Sequence, residues 1–455
     1  MRTLSYCKLA VLFGLLHFAN LFPQEVLKSK VDERIELLGI IYRLSGAREY
    51  SQGAIKSYND DTDKYFADFK NHEAVLLAKE YRNNGIGYDA VMSLAIHLDV
   101  QGSSISLNDD IYNNLDSRWN KEMLDNFTEK ISDFYIKSNF RKFFESHSEI
   151  YSRAEEAMND ILVSKMNFSW FDRFYGVKGG DYNIFVSLTN GSSNYGMKII
   201  HKDKNEEICP IIGVDSDNNS NPKFAPANAV YLLVHEISHS YVNPLVNKHK
   251  EKFTKSEKVI FPHISKKMQS QAYGNWSTVM YESLVRVATI CYANQDTITN
   301  MKVKDIINGE IHRGFFWMAD LYTLMQEYEE NRDKYATLDD FMPRIISFYD
   351  TGLFPRIISS SIENNSKVPH TTKELIFTFS KPMDTKRGYG FNYGKGGKDN
   401  FPKIEKVEWI DDETIKLTLD LEPGKMYSIQ LYLRRYADIE GLPVIENYPL
   451  EFISE

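Results

Sequence analysis

Cysteine is scarce in this sequence, with three residues in 455. Cys7 precedes the first apolar run, so only Cys209 and Cys291 serve the rest of the chain. Two cysteines exclude a fold built on a disulfide framework, and they fit a single bridge or two buried thiols equally well. The sequence also lacks internal repeats and low-complexity segments, which excludes repeat architectures and compositionally biased proteins.

An excess of basic residues is missing too. Lys and Arg number 54 against 63 Asp and Glu, which gives a formal net charge of -9 at pH 7. This acidic balance argues against nucleic acid or an anionic membrane as a partner. Hydrophobic residues make up 42% of the chain and aromatic residues 13%, so a sizeable core is expected, and the length indicates two domains or a large and a small one.

The amino terminus carries the pattern of an export signal. Arg2 and Lys8 are followed by an apolar run at residues 9–23, which is too short to span a bilayer comfortably. We expect residues 1–24 to be a signal peptide cleaved near residues 22–25; an uncleaved anchor is the alternative. Its removal would take the formal charge from -9 to -11. The protein is then periplasmic, on the cell surface or secreted, without stable membrane insertion.

Between residues 26 and 175 the spacing of apolar residues predicts helices. The period is clearest at residues 31–44, 62–82 and 116–159, where many aromatic residues fall on the buried side. These aromatic stripes are typical of a core rather than of a binding surface. This part of the chain is therefore expected to be mainly helical.

The pattern changes to strands at Asp181. Residues 182–200 predict two strands joined by an Asn-Gly turn, and residues 208–215 predict a third. In zinc peptidases, an edge strand beside the cleft can hold an extended substrate through main-chain hydrogen bonds. An ordinary structural hairpin is the equal alternative.

The strongest chemical signal lies at residues 231–244, YLLVHEISHSYVNP. It contains His-Glu-x-x-His, and on a helix ended by Pro244 the two histidines would lie one turn apart on one face. Imidazole nitrogens suit zinc, which at catalytic sites takes three protein ligands. His235 and His239 are therefore candidate ligands, and Glu236 is the candidate general base.

The apolar context of this motif supports a metal site. Val230, Leu233, Val234 and Ile237 are expected to face the core, where two histidines and a glutamate would be costly without a purpose. The alternative is a pair of ordinary helix histidines held by hydrogen bonds. We favour the metal site.

A third ligand must come from later in the chain. Val242 and Leu245 occupy the positions that need Gly and His in the longer pattern HExxHxxGxxH, which is therefore excluded. Glu251 and Glu257 lie among lysines at residues 248–258, a segment typical of a solvated surface. These two acids are not expected to bind the metal.

Glu282 is the acid we select. It lies in residues 276–292, a predicted helix that is apolar on most sides, with a polar stripe of Thr278, Glu282, Arg286 and Thr289. A buried carboxylate needs a metal or a cation to compensate it. Glu282 is therefore the predicted third ligand, with Arg286 as a candidate partner that orients it. A surface pair of Glu282 with Arg286 is the alternative.

HEISHSYVNP together with YESLVRVA resembles the glutamate-ligand branch of the HExxH zinc metallopeptidase superfamily. VDERIELLGIIYRLSGAREY, SSNYG and TLDDFMPRI resemble an exported bacterial family known only as a domain of unknown function and assigned to that superfamily, over roughly residues 26–350. The resemblance implies a zincin fold, with His235, His239 and Glu282 as ligands and Glu236 as catalytic base. The metallopeptidase hypothesis predicts one zinc per chain. Thermolysin-like peptidases have Asn before the ligand Glu and Asp four residues later, whereas this chain has Tyr281 and Arg286.

A peptidase of this kind also needs a donor for the oxyanion. Tyr273, Tyr281 and His263 are the candidates, and the sequence does not choose among them. With 28 tyrosines in the chain, a purely structural role is the alternative for each tyrosine. Asn243 is expected to cap the active helix or to line the cleft.

Helices are predicted again at residues 303–350, where Thr337 and Asp340 form a capping pair. Residues 351–357 read as a boundary, after which the period becomes that of strands. The predicted strands lie at residues 375–380, 407–411, 414–420, 426–433 and 448–454.

These short strands predict a β-sandwich. LIFTFSKPMD also resembles the bacterial immunoglobulin-like modules appended to exported proteins, which implies a spacer or a module that docks to a surface or partner. We therefore expect an α+β protein: a mainly helical zincin-like metallopeptidase domain with a small sheet at residues 25–352, followed by an all-β immunoglobulin-like sandwich at residues 355–455.

The function expected from these patterns is that of an exported zinc metallopeptidase acting on a peptide or protein. An inactive zincin used as a surface binding protein is one alternative. A zinc amidase that acts on cell-wall peptide is another, since it would share the chemistry and differ only in the cleft.

Overall fold

The structure is a computed structural model that describes residues 27–297 and 299–455. It is α+β, with helices and small sheets up to residue 352 and strands after it, so the expected fold class and the all-β carboxy-terminal region are confirmed at this level. The predicted signal peptide at residues 1–24 lies outside the described residues. Among the helices of the described part, none is long and apolar enough to cross a membrane.

Helices are the main elements of the chain up to residue 352. In chain order they are α1 (Glu33–Leu44), α2 (Lys56–Tyr65), α3 (Glu73–Asn83), α4 (Asp89–Ile96), α5 (Ile111–Asn114), α6 (Lys121–Lys137), α7 (Phe140–Ser146), α8 (Ser148–Lys165), α9 (Ser169–Tyr175), α10 (Pro226–His249), α11 (Thr254–Gln269), α12 (Trp276–Gln295), α13 (Val303–His312), α14 (Met318–Glu330) and α15 (Leu338–Ser347).

The strands form small sheets before residue 224 and two four-stranded sheets after residue 356. In chain order they are β1 (Leu98–Gln101), β2 (Ser104–Leu107), β3 (Asp181–Tyr182), β4 (Phe185–Ser187), β5 (Tyr195–Ile200), β6 (Glu206–Gly213), β7 (Asp215–Ser216), β8 (Pro222–Lys223), β9 (Ile357–Ser360), β10 (Ser366–Val368), β11 (Glu374–Phe379), β12 (Phe391–Tyr393), β13 (Lys403–Trp409), β14 (Thr414–Asp420), β15 (Met426–Leu431) and β16 (Leu450–Ser454).

Of the helices predicted in the first half, α1 is confirmed, but two predicted segments are divided. Residues 62–82 form the end of α2 and most of α3, and residues 116–159 contain α6, α7 and most of α8. Asn139, with φ of 52°, turns the chain between α6 and α7 in the left-handed region that Asn tolerates. Apolar spacing carries no signal for a turn of this kind, because the same face stays buried on both sides.

The predicted hairpin at residues 182–200 is wrong. β4 and β5 do not pair with each other, because both pair with β6: Phe185 lies opposite Ile211 in a parallel register, and Tyr195 lies opposite the same residue in an antiparallel one. β6, the predicted third strand, therefore separates them. The Asn-Gly pair turns the chain across β6 instead of joining adjacent strands.

β5 is the strand that borders the helix of the HExxH motif. It contacts α10, and part of its other edge is covered by α5. There the Asn113 side chain donates to the Ile200 carbonyl at 2.6 Å, and Ile200 N–H donates to Asn114 at 3.0 Å. α5 therefore covers the end of this strand.

The sequence predicted that Pro244 ends the helix of the HExxH motif, and this prediction is wrong. Pro244 lies inside α10, which continues to His249. A proline in a helix interior removes one backbone donor and crowds the preceding turn. The packing of α10 between β5, β6 and α12 outweighs that local cost.

The predicted strands after residue 374 are present, and they build two facing sheets. The strand orders are β10-β16-β15-β12 and β13-β14-β11-β9, with alternating buried side chains along β11 and β14. Thr337 and Asp340 form the predicted capping box at the start of α15.

Buried side chains fall into two clusters that divide the chain between Phe354 and Ile357. Leu442 is the exception, because it comes from the sandwich and is buried in the first cluster. Within the described residues Cys209 and Cys291 are both buried free thiols. The assignment of two domains stays a prediction, but the cores follow the same division.

Candidate metal centre

α10 places the HExxH residues on a buried helix. Pro226 occupies the first turn, where its missing N–H costs nothing, and the apolar residues around the motif are buried as predicted. His235 and Glu236 are buried, and His239 is half-buried. The two histidine rings lie 5.0 Å apart, so they face the same space beside the helix.

α12 places the predicted acid opposite this pair. The helix begins after Asn275, whose side chain accepts a hydrogen bond from Thr278 N–H at 2.9 Å. α12 packs along α10, and both Glu282 and Arg286 are buried in it. Glu282, Arg286 and Thr289 of the predicted polar stripe therefore face the protein interior, and Glu282 with Arg286 is not a surface pair.

The three predicted ligands come together. Glu282 Oε2 lies 3.7 Å from His235 Nε2, and Glu282 Oε1 lies 3.6 Å from His239 Nε2. One ligand atom from each of the three residues falls within 4.8 Å of the others. Two atoms bound to one tetrahedral zinc are separated by about 3.4 Å, because each bond is about 2.0–2.1 Å long. The donor set therefore fits a metal ion, and its nitrogen and oxygen chemistry suits zinc.

Glu236 is held as a weak acid beside these ligands. Burial raises the pKa of its carboxyl to about 8, and the negative charge of Glu282 contributes to the increase. Arg286 and the backbone N–H of Gly196 act in the opposite direction. A carboxyl whose pKa lies near neutral pH can both accept and return a proton.

Gly196, in β5, sets how closely the strand approaches α10. A Cβ atom built there would lie 2.3 Å from the backbone oxygen of Glu236 and 2.9 Å from Cβ of His239. A side chain at this position would force the strand away from the helix. The strand and the two motif residues are therefore in direct contact.

The two histidines are held in different ways. His239 Nδ1 lies 3.1 Å from Oδ1 of Asn243, one turn later on α10. His235 Nδ1 is buried and has no hydrogen-bond partner among the described residues, but the His235 ring stacks against Tyr231 at 6.3 Å and 19°. Burial lowers the pKa of His235 to about 3, which keeps its imidazole in the neutral form that binds metals.

Arg286 is hydrogen-bonded to the predicted ligand. Its Nη2 donates to Glu282 Oε2 at 2.8 Å and to the Tyr273 hydroxyl at 2.9 Å, and that hydroxyl donates to Glu282 Oε2 at 3.2 Å. Burial opposes the ionisation of Glu282, but the positive charge of Arg286 favours it and holds the pKa of the carboxyl below its usual range. The carboxylate is therefore charged, as a ligand must be.

Glu310 is a residue of this network that sequence reasoning missed. It lies on α13, is completely buried, and accepts hydrogen bonds from Arg286 Nη1 at 2.8 Å and from the Tyr231 hydroxyl at 2.8 Å. Arg313 Nη1 also donates to it at 2.6 Å. A charge on a helix with ordinary amphipathic spacing gave no sign of this role, because the contact is made across three helices.

Other candidates lie elsewhere. Tyr281 donates to Asn247 on the C-terminal half of α10, and His263 is exposed on α11, facing Gly441 of the sandwich. Of the three candidate oxyanion donors, Tyr273 is the one hydrogen-bonded to a predicted ligand.

The comparisons with known proteins give a family but no activity. A profile of the family described as "Domain of unknown function (DUF4932)" matches residues 27–348. No curated protein matches the chain.

Two solved structures of surface-layer proteins share weak similarity with the chain. "Crystal structure of the S-layer protein rSbsC(31-844)" is 16% identical with a TM-score of 0.19, over 49% of this chain and 33% of that one. "Structure of surface layer protein SbsC, domains 1-6" is 15% identical with a TM-score of 0.19, over 50% and 34%. This chain spans about a third of their length, and such TM-scores support no inference from them.

Proposed function

This chain belongs to the family described as "Domain of unknown function (DUF4932)", and from its buried site we propose that it is an exported zinc-dependent metallopeptidase with a zincin-like domain. The observation that carries the proposal is the convergence of His235, His239 and Glu282 beside Glu236. Two imidazoles, a ligand carboxylate and a second carboxyl are the groups that metal-assisted peptide hydrolysis needs.

Each residue has a separate part in this proposal. His235, His239 and Glu282 would hold one zinc ion, which when bound supplies Lewis acidity toward a peptide carbonyl and an attacking water. Glu236 accepts the proton of that water and returns it to the leaving amine. Its burial beside β5 raises its pKa above that of an exposed glutamate, so its carboxylate is the stronger base.

Tyr273 is our choice for the oxyanion donor. Its hydroxyl lies at the Glu282 carboxylate, and Arg286 Nη2 donates to it, which leaves its proton to be given elsewhere. To serve, the hydroxyl has to exchange its bond to Glu282 for one to the substrate. Tyr281 donates instead to Asn247, which is not a predicted ligand.

The proposed location is outside the cytoplasm, in the periplasm, on the cell surface or in the medium. The support is the basic and apolar pattern of residues 1–24 together with the acidic charge of the remaining chain. The proposed substrate is a peptide or protein, and the immunoglobulin-like module is proposed to dock the enzyme to a surface or partner.

The test is to compare three purified proteins for zinc content and hydrolysis. We expect the parent to contain one zinc per chain and to cleave members of a broad peptide library. Glu236→Gln should retain zinc and lose cleavage, because an amide cannot accept the proton. His235→Ala should lose both, since only two ligands remain.

Two results would contradict the proposal. One is a Glu236→Gln protein that cleaves as the parent does, which would remove the general base. The other is a parent that binds zinc but cleaves no peptide in the library, which would favour a binding protein or an amidase instead.

A further inference from the structure

Glu310 joins two sides of the candidate metal centre. One oxygen, Oε2, accepts from Arg286, which in turn holds Glu282. The other, Oε1, accepts from the Tyr231 hydroxyl at 2.8 Å, and the Tyr231 ring stacks on His235. One buried carboxylate therefore reaches two of the three predicted ligands through one intermediate side chain each.

The charge of Glu310 matters on the Arg286 side. Arg286 is buried between two carboxylates, and without Glu310 the positive charge of its guanidinium would be balanced by the ligand Glu282 alone. That charge would oppose the binding of a metal cation, because the interaction is weakly screened in a buried site. Glu310, which Arg286 shares with the half-exposed Arg313, gives Arg286 a second carboxylate, so that less of the charge of Glu282 is offset by Arg286.

On the Tyr231 side, Glu310 acts through the orientation of the His235 ring. Histidines that bind metals usually donate their second ring N–H to a carboxylate or carbonyl, which fixes the plane of the ring. His235 Nδ1 has no such partner among the described residues, whereas Tyr231 lies nearly parallel to the ring at 19°. The orientation of His235 then depends on the stacked ring, and the hydrogen bond to Glu310 holds that ring in place.

We propose that Glu310 is a positioning residue of the metal centre, which holds Arg286 beside Glu282 and Tyr231 beside His235. This inference rests on the proposed metal-dependent function and deepens it. Glu310 touches neither the metal ligands nor the substrate. Its effect is therefore expected in the affinity for zinc, before any effect on hydrolysis.

The experiment measures zinc retained by the full chain during dialysis against a graded chelator, with no assay of activity. Glu310→Gln keeps the size of the side chain but removes its charge, and we expect zinc affinity to fall by about 10–100-fold, as for other residues that support metal ligands. Tyr231→Phe removes only one hydrogen bond, so a smaller loss in the same direction is expected.

Two control variants separate positioning from general stability. Glu49→Gln changes another buried carboxylate, whose ion-pair partner is Arg82 and not a residue of the metal centre, so it should lower the melting temperature and leave zinc affinity unchanged. Arg313→Gln removes a half-exposed partner of Glu310 while Arg286 and Tyr231 stay bonded, so zinc affinity should also be kept.

The results separate the two proposals. If Glu310→Gln retains zinc like the parent and only melts earlier, as Glu49→Gln does, then Glu310 is purely structural and this inference fails while the metallopeptidase stands. If the parent itself binds no zinc, the proposed function fails and the inference falls with it. If Glu310→Gln does not fold, the milder Tyr231→Phe still decides the question.

Discussion

The two oxygens of the Glu282 carboxylate have different partners. Oε2 accepts from Arg286 and from Tyr273, whereas Oε1 faces His239 Nε2 at 3.6 Å. Arg286 and Tyr273 thus fix the carboxylate through Oε2, which also lies 3.7 Å from His235 Nε2, and leave Oε1 directed at His239. A ligand held in this way loses little conformational entropy when it binds a metal.

We therefore expect Glu282→Ala to weaken zinc affinity by more than the roughly 10–100-fold typical of a residue that only supports a ligand. α12 should still fold, since it packs through its apolar residues. The matched control is Glu257→Ala, which removes an exposed acid of α11. Retained zinc after dialysis against a chelator measures both, and zinc loss by Glu257→Ala with none by Glu282→Ala would refute the ligand assignment.

At the scale of residues, the sequence predicted what lies close together in the chain. His235, Glu236 and His239 are a contiguous motif, and Glu282 was found because it is an acid inside an apolar helix. Glu310 was missed because Arg286 and Tyr231, its partners at the centre, lie on two other helices, and no local spacing reports such a contact. His263 was a candidate only through its position in the chain, and the structure places it against the sandwich instead.

At the scale of elements, a buried polar cluster joins α1 to the sheet beside the metal centre. Glu36, on α1, accepts from the Ser187 hydroxyl at 2.8 Å and from Leu188 N–H at 2.9 Å. Tyr58 donates to its other oxygen at 2.8 Å. Burial raises the pKa of Glu36 to about 6, since these hydrogen bonds only partly offset the loss of solvation.

This raised pKa predicts a pH-dependent stability. The protonated carboxyl is favoured by folding, so its contribution is complete below about pH 4.5 and is lost as pH rises through about 6. Glu36→Gln avoids that loss. Its free energy of unfolding relative to the parent should therefore increase by about 2 kcal/mol between pH 4.5 and pH 7.

Urea unfolding at several pH values measures this difference. Glu149→Gln, at a solvent-exposed carboxylate of α8, is the control. The prediction fails if the difference in free energy of unfolding between Glu36→Gln and the parent stays constant over this pH range. It also fails if that difference changes no more than the difference between the control and the parent, because ionisation of Glu36 would then not limit the stability of the junction between α1 and β4.

Strand pairing shows where sequence reasoning stopped at this scale. The strands at residues 182–200 and 208–215 were found from their composition, but their partners were not, because pairing depends on contacts between distant segments. Pro244 was misjudged for a related reason. Local chemistry favours a helix end there, and tertiary packing on both sides of α10 overrides it.

At the scale of the whole molecule, the sandwich is attached through its own side chains. Leu442 is completely buried in the core of the helical part, and Lys381 of the sandwich pairs with Asp320 of α14 at 2.8 Å. Ile445 packs against the same core. The loop between β15 and β16 thus completes a core that it does not belong to by sequence.

We expect Leu442→Ala to lower the free energy of unfolding of the full chain by about 2–5 kcal/mol, as for other buried leucines. Ile439→Ala, in the same loop but 64% exposed, is the matched control and should change stability little. Urea unfolding of both proteins decides the point. Equal stability of the two variants would show that this contact does not hold the units together.

The switch of period near residue 355 predicted where the sandwich begins, and the division of the two cores agrees with it. The attachment through Leu442 could not be predicted in the same way. A single apolar residue in a loop has no period, and it is indistinguishable in sequence from one that packs inside its own sheet.

The glycine at position 196 is a criterion by which related sequences can be recognised. Because a Cβ at this position would lie 2.3 Å from the Glu236 backbone oxygen, the contact between β5 and α10 tolerates glycine alone. A homologue that keeps HExxH but carries a larger residue here must have a wider gap between strand and helix. A glycine about forty residues before HExxH, taken together with the motif, therefore identifies this centre more selectively than the motif alone.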